Sequence, residues 1–328
     1  MLPLSVGVAL APKQHAVRSL NYGCSRNRIV SAANQSALET VMLHNARFPL
    51  PNKNSPYRNF HYLYPRFHAL RNSRMKTIAI INQKGGVAKT TTAINLAAYY
   101  AKKGFRTLAV DLDPQSNMTE ALGSKASHNI YDYFKGRPLE VEHISENLHL
   151  IPSNIRFSTI ELQIINEFNR EYILQHLLEP IQEDYDICII DCPPALNFVT
   201  INALVASDFA LVPLKPSSFS YDGLGIMLDF VRKVKTSLNG NLTILGIVLT
   251  FFDERKVVSK ATLDKLERDN LTAGVMKTKI RAAEGIVRAE ESRQSIFDYD
   301  GGSQVAQDYK SLAEEITDKI GIRPSEEE

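Results

Sequence analysis

The chain has 328 residues, 44% of them hydrophobic and 23% charged, ordinary proportions for a globular protein with a sizeable core. No apolar run of about 18 residues or more appears, which excludes a conventional membrane-spanning helix. The three cysteines, Cys24, Cys188 and Cys192, form neither a disulfide framework nor a C-x-x-C pair, as suits a reducing compartment, and Cys188 and Cys192 are expected as packed core thiols.

The net charge of +2 hides an asymmetry. Residues 1–74 hold ten Lys/Arg and one acid, Glu39, which leaves 28 basic and 35 acidic side chains in 75–328. Three readings of 1–74 stay open: a loose basic arm for polyanions, an organelle transit peptide, or a stretch outside the working protein with Met75 as its start. The abrupt onset of folded pattern at "MKTIAIIN" favours the third.

From Met75 the elements follow in order. "KTIAIIN" (76–82) is an Ile-rich run of the kind buried on both faces of a parallel sheet. A loop follows, then a helix over 89–103 whose Ile94, Ala97, Ala98 and Ala101 share one small apolar face, ended by Gly104. "RTLAVDLD" (106–113) is a second strand running into two acids. Further strands are expected at 148–153, 186–191, 209–214 and 242–250, and helices at 155–181, 198–206, 221–238, 259–269 and 303–320. This alternation predicts an α/β fold, a mostly parallel sheet with helices on both faces. Residues 322–328 read as a short acidic tail. In such sheets ligands sit beyond the carboxyl ends of the strands, where 83–92, 111–117 and 191–194 place the polar chemistry.

The loop reads "NQKGGVAKTTTAINLAA" (82–98). A strand, a glycine-bearing turn, a lysine and a helix start make an anion site from inward-pointing N–H groups and the positive end of a helix dipole. Lys89 would reach the β- and γ-phosphates, Thr90 would ligate Mg²⁺, and Thr91 is placed for the α-phosphate. The ordinary pattern G-x-x-x-x-G-K-[ST] nevertheless misses, because its glycines would fall at Gln83 and Ala88.

"KGGVAKTTT", "DLDPQSN" and "IIDCPPALNFVTINAL" together resemble the ParA/Soj partitioning ATPases, P-loop NTPases of the deviant Walker A class that includes MinD. The family loop K-G-G-x-G-K-[ST] explains the misfit, and the resemblance spans about 75–320. It implies ATP and Mg²⁺ as ligands, with Lys84, Gly85, Gly86, Val87, Ala88, Lys89, Thr90 and Thr91 around the phosphates. Lys84 is implied to reach across a two-fold interface to the nucleotide of a second copy. Asp113 is implied to orient the attacking water, and Asp113 and Asp191 to hold Mg²⁺ through water. Asp111, two residues before Asp113, is left between a metal-shell and a structural role. Ala88 departs from the family glycine; if that position needs positive φ, alanine costs about 1–2 kcal/mol.

The family further implies an ATP-dependent homodimer, nonspecific DNA binding and a ParB-type partner that stimulates slow hydrolysis, in the bacterial cytoplasm at the nucleoid. The DNA candidates are Lys279, Arg281, Arg288 and Arg293, although Glu284, Glu290 and Glu291 interrupt their charge. Two rival readings are a MinD-like membrane-cycling ATPase and a nucleotide-binding scaffold without turnover. The last helix carries Asp308, Glu314, Glu315 and Asp318 on its polar side, which anionic lipid would repel, so it is expected to pack on its own sheet.

Overall fold

The computed structural model describes residues 75–324; the side chains of 218–222 and 273 are outside the description, as are 1–74 and 325–328. The readings of the basic extension, of Cys24 and of the end of the acidic tail therefore lie outside the described residues. Strand β1 (Lys76–Ile80) leads through the loop into helix α1 (Lys89–Lys102) and strand β2 (Thr107–Asp111). Short helices α2 (Asn117–Ala121) and α3 (Ile130–Phe134) precede a hairpin of β3 (Glu142–Ser145) and β4 (Leu148–Ile151). Then come α4 (Ile160–Gln163), α5 (Ile173–Leu178), β5 (Ile187–Asp191), α6 (Phe198–Val205) and β6 (Phe209–Leu214). The rest is α7 (Ser218–Ser237), β7 (Thr243–Phe252), α8 (Val257–Arg268), β8 (Val275–Arg281), α9 (Glu284–Glu291), α10 (Ile296–Asp300) and α11 (Gln304–Ile320).

Among the described residues the strands form one sheet in the order β3-β4-β2-β5-β1-β6-β7-β8. All neighbours are parallel except β3, which runs antiparallel to β4 at the edge. Side chains alternate between two cores, as strand geometry requires. Ala79, Leu108, Val110, Cys188, Ile190 and Val212 face the core shared with α5, α6 and α7. Ile78, Ile80, Ala109, Ile187, Ile189 and Leu211 face the core shared with α1 and α11. Cys188 and Cys192 are free, buried thiols, as expected.

Three differences from the sequence expectation have physical causes. The expected 155–181 helix is broken into short turns and helices. The Ser158 and Thr159 hydroxyls donate back to Ile155 O and Arg156 O, Asn169 turns left-handed at φ 55°, and Pro180 follows. Leu162 and Phe168, 76% and 92% exposed, are left facing outward. Strands β3 and β8 were not expected: "EHIS" is a polar edge strand, and "VMKTKIR" buries only Met276 and Ile280. Finally, α1 is buried nearly all round rather than on one face, because α11 covers its outer side. The Tyr100 hydroxyl donates to Ala313 O at 3.0 Å there. The apolar side of α11 is buried on its own molecule, as expected.

Asn95 ties the phosphate-loop helix to α10: its side chain donates to Thr91 O at 2.8 Å and accepts from Ile296 N at 2.8 Å. Asn95→Ala orphans a buried N–H, and a loss of about 2 kcal/mol is expected as a lowered urea midpoint at unchanged m-value.

Candidate active site

Register sets the acids. Ile80 on β1 pairs with Asp191 on β5, and Asp191 pairs with Asp111 on β2, so three central strands end level. By alternation Asp111 and Asp191 point to the α1 side, where the phosphate loop enters its helix. Both are fully buried. Burial, together with the charge of Asp111, holds the Asp191 carboxyl well above the usual carboxylate range, while Thr90 and Lys89 pull it back. Asp111 is pushed up to about 6 by burial, against the pull of its hydrogen bonds from Thr119 and Asp113.

The loop is anchored from three sides. The Asn82 side chain donates to Pro213 O at 2.7 Å and accepts from Lys84 N at 2.9 Å. Gln83 donates to Gly223 O at 3.1 Å, an approach so close that a Cβ on Gly223 would fall 2.5 Å from the Gln83 amide nitrogen. Thr250, at the end of β7, donates to Val87 O at 3.2 Å. Gly86 has φ 67°, and Ala88, the residue before α1, has φ 64° and ψ 36°. The position that the sequence left conditional is therefore left-handed, and the alanine bears the strain.

A cleft of about 720 Å³ opens above the loop, lined by Gly85, Gly86, Ala88, Lys89, Thr90, Thr91 and Asp113 among others. Val87 and Asp191 are buried and outside this lining. Lys84 is outside it too, with its Nζ 3.3 Å from Ser217 Oγ, directly before α7. The Lys89 Nζ donates to Lys84 O at 3.2 Å; burial lowers its pKa, opposed by the charges of Asp191 and Asp113. Among the described residues neither Asp191 oxygen reaches a hydrogen-bond partner, although the Thr90 hydroxyl faces the carboxyl. A buried, unpartnered carboxylate beside a threonine hydroxyl fits a hydrated magnesium ion, which keeps several waters and needs few protein ligands.

Sequence reasoning missed Glu290, Phe251 and Thr250. Glu290 on α9 lines the cleft and accepts from the Thr91 hydroxyl, and Phe251 lines it with φ 50° and Lys215 Nζ 4.5 Å from its ring centre. The Thr91–Glu290 and Thr250–Val87 contacts join residues more than 150 positions apart, so no local pattern announces them. Each of the four DNA candidates has an acidic neighbour, and Arg281 and Arg293 also line the cleft. Arg281 is held by both oxygens of Asp308 at 2.7 and 2.9 Å. Arg288 pairs with Glu284 at 2.9 Å, Lys279 lies 3.9 Å from Glu254, and Arg293 lies 4.0 Å from Glu120.

Glycine accepts a left-handed φ without penalty, so Ala88→Gly should stabilise the protein by about 1 kcal/mol, seen as a raised urea midpoint. An unchanged or lowered midpoint would show that the loop bears no such strain.

With this geometry in place, the chain was compared with known proteins. A family model described as an AAA domain matches residues 75–244. The chromosome-partitioning ATPase Soj of Treponema pallidum is 34% identical over 259 residues, 76% of this chain and 99% of that protein. A cobyrinic acid a,c-diamide synthase from Mycobacterium smegmatis, solved with ADP and magnesium, superposes with a TM-score of 0.64 at 30% identity, covering 73% of this chain and 93% of that one. A Borrelia burgdorferi protein assigned to plasmid partition, bound to AMPPNP, superposes with a TM-score of 0.61 at 25% identity, covering 75% and 98%.

Proposed function

Because this chain belongs to the ParA/Soj family of chromosome-partitioning ATPases, we propose that it hydrolyses ATP with magnesium and uses the triphosphate to join two copies of itself, in the segregation of a chromosome or plasmid. The observation that carries this reading is the meeting of Lys89, Thr90 and Asp113 at one cleft, with Asp191 buried beside them. The ATPase unit on this reading is 75–321, with 1–74 as an appended extension.

The loop amides of 85–89 and the positive end of α1 receive the β- and γ-phosphates. Lys89, whose ammonium now rests on Lys84 O, transfers that contact to phosphate oxygens. Thr91 turns its hydroxyl from Glu290 to the α-phosphate. Magnesium, when bound, would neutralise phosphate charge, and Thr90 would hold it directly, with Asp113 and Asp191 holding it through water. Asp113 accepts a hydrogen bond from the attacking water and aligns it with the γ-phosphorus, since positioning and charge neutralisation supply most of such catalysis. Lys84 lies outside the lining of its own subunit's cleft, a position suited to a facing subunit's nucleotide.

Nonspecific DNA and a ParB-type activator complete the proposal. Exposed ion pairs hold side chains by no more than about 1 kcal/mol, so DNA phosphates can draw Lys279, Arg288 and Arg293 from their partners. Arg281, doubly bonded to Asp308, is the least available. Such binding depends steeply on salt. Membrane cycling is disfavoured because the apolar side of α11 is already buried, and no helix among the described residues is long and apolar enough to cross a membrane.

Asp113→Ala is expected to bind ATP and accumulate as a dimer with turnover lost; wild-type turnover in that variant would remove Asp113 from the mechanism. Lys89→Ala should lose nucleotide affinity by calorimetry. Lys84→Ala should bind ATP yet sediment as a monomer, and an ATP-dependent dimer would refute its cross-subunit role. Sedimentation with ADP or ATP, with and without DNA, on the full chain and on a chain beginning at Met75, tests the reading as a whole.

A further inference from the structure

The two oxygens of Asp111 are fully engaged, and every donor comes from the segment that carries Asp113. Oδ1 accepts from Asp113 N at 3.0 Å. Oδ2 accepts from Thr119 N at 2.9 Å and from the Thr119 hydroxyl at 2.6 Å. Having donated its single proton, the Thr119 oxygen accepts from Ser153 N, just past the end of β4, at 2.9 Å. Between these ties the chain turns tightly: Asp113 Oδ1 accepts from Gln115 N at 3.0 Å, Ser116 N donates to Asp113 O at 2.9 Å, and Ser116 is left-handed at φ 58°. The acid, the turn and helix α2 are thus strung between β2 and its neighbour β4.

We propose that Thr119 is a positioning residue for Asp113: with Asp111 and Ser153 it forms a clasp that fixes where the Asp113 carboxylate stands over the cleft. The inference rests on the role of Asp113 proposed above. It places Asp111 on the structural side of the two roles that the sequence left open. Three donors from within the protein reach the Asp111 carboxylate, whereas Asp191, its register neighbour, has no hydrogen-bond partner among the described residues. The two buried acids therefore divide the work, Asp111 holding the chain and Asp191 facing the cation. Thr119 itself is absent from the cleft lining, so it acts only through the residues it holds.

Thr119→Val keeps the shape of the side chain while removing both its donor and its acceptor, and Thr119→Ser restores them. A displacement of about 1 Å at a catalytic group can cost roughly a hundredfold in rate, so Thr119→Val is expected to lower kcat by at least about tenfold. ADP affinity by calorimetry should stay within about twofold, Thr119→Ser should recover most of the rate, and amide hydrogen exchange at 113–116 and at Ser153 should quicken in the valine variant. Wild-type turnover in Thr119→Val, a parallel loss of ADP affinity, or a serine variant as slow as the valine one would overturn the proposal. A wild-type chain without ATP turnover would strike the proposed function instead. The exchange measurement on nucleotide-free protein then decides the clasp alone, and unchanged protection in the valine variant overturns it.

Discussion

Level strand ends in the middle of the sheet are the constraint on which the site depends. Ile80, Asp191 and Asp111 are register neighbours on β1, β5 and β2, and a strand alternates its side chains with period two. Slipping β5 by one residue would turn Asp191 into the core of α6 and α7 and bring Cys192 to the phosphate side. The apolar runs "TIAI", "TLAV" and "ICII", buried on both faces, resist such a slip because each must fill two different cores. Packing energy thereby holds two carboxylates side by side where, left alone, they would repel.

That arrangement has an electrostatic consequence. Asp111 and Asp191 are both raised in pKa by burial, and each also feels a neighbouring acid. The Lys89 ammonium and the Thr90 hydroxyl offset part of this for Asp191, and a divalent cation would offset more. The phosphate loop does the opposite job with backbone N–H groups. Acids on the strand ends and amides at the helix start make a site complementary to a cation joined to an anion, which neither half would hold as well separately.

Ala88 illustrates how local strain is kept when the surroundings over-determine it. Its left-handed conformation, about 1–2 kcal/mol unfavourable for alanine, is enforced from outside. Asn82 fixes the entry of the loop to β6, Thr250 fixes Val87 to β7, and Asn95 fixes the following helix to α10. The missing family glycine is therefore compatible with the loop shape, although the strain is real.

The fold class, the central strands and the phosphate loop with its acids are legible in the amino-acid order alone. These are written in local terms: continuous apolar runs, a glycine-bearing turn between strand and helix, and acids directly after strands. Edge strands β3 and β8 escaped because one is polar and the other only half-buried, and the broken 155–181 segment escaped because hydroxyl back-bonding and a left-handed Asn169 interrupt an apolar pattern that reads as one helix. Tertiary packing alone brings Lys84 Nζ to Ser217 Oγ, the α9 carboxylate of Glu290 to Thr91, and Arg281 to Asp308. It also brings three donors to Asp111, whereas neither Asp191 oxygen reaches a hydrogen-bond partner among the described residues. Each of these depends on which residue arrives from a distant part of the chain, and periodicity carries no information about that.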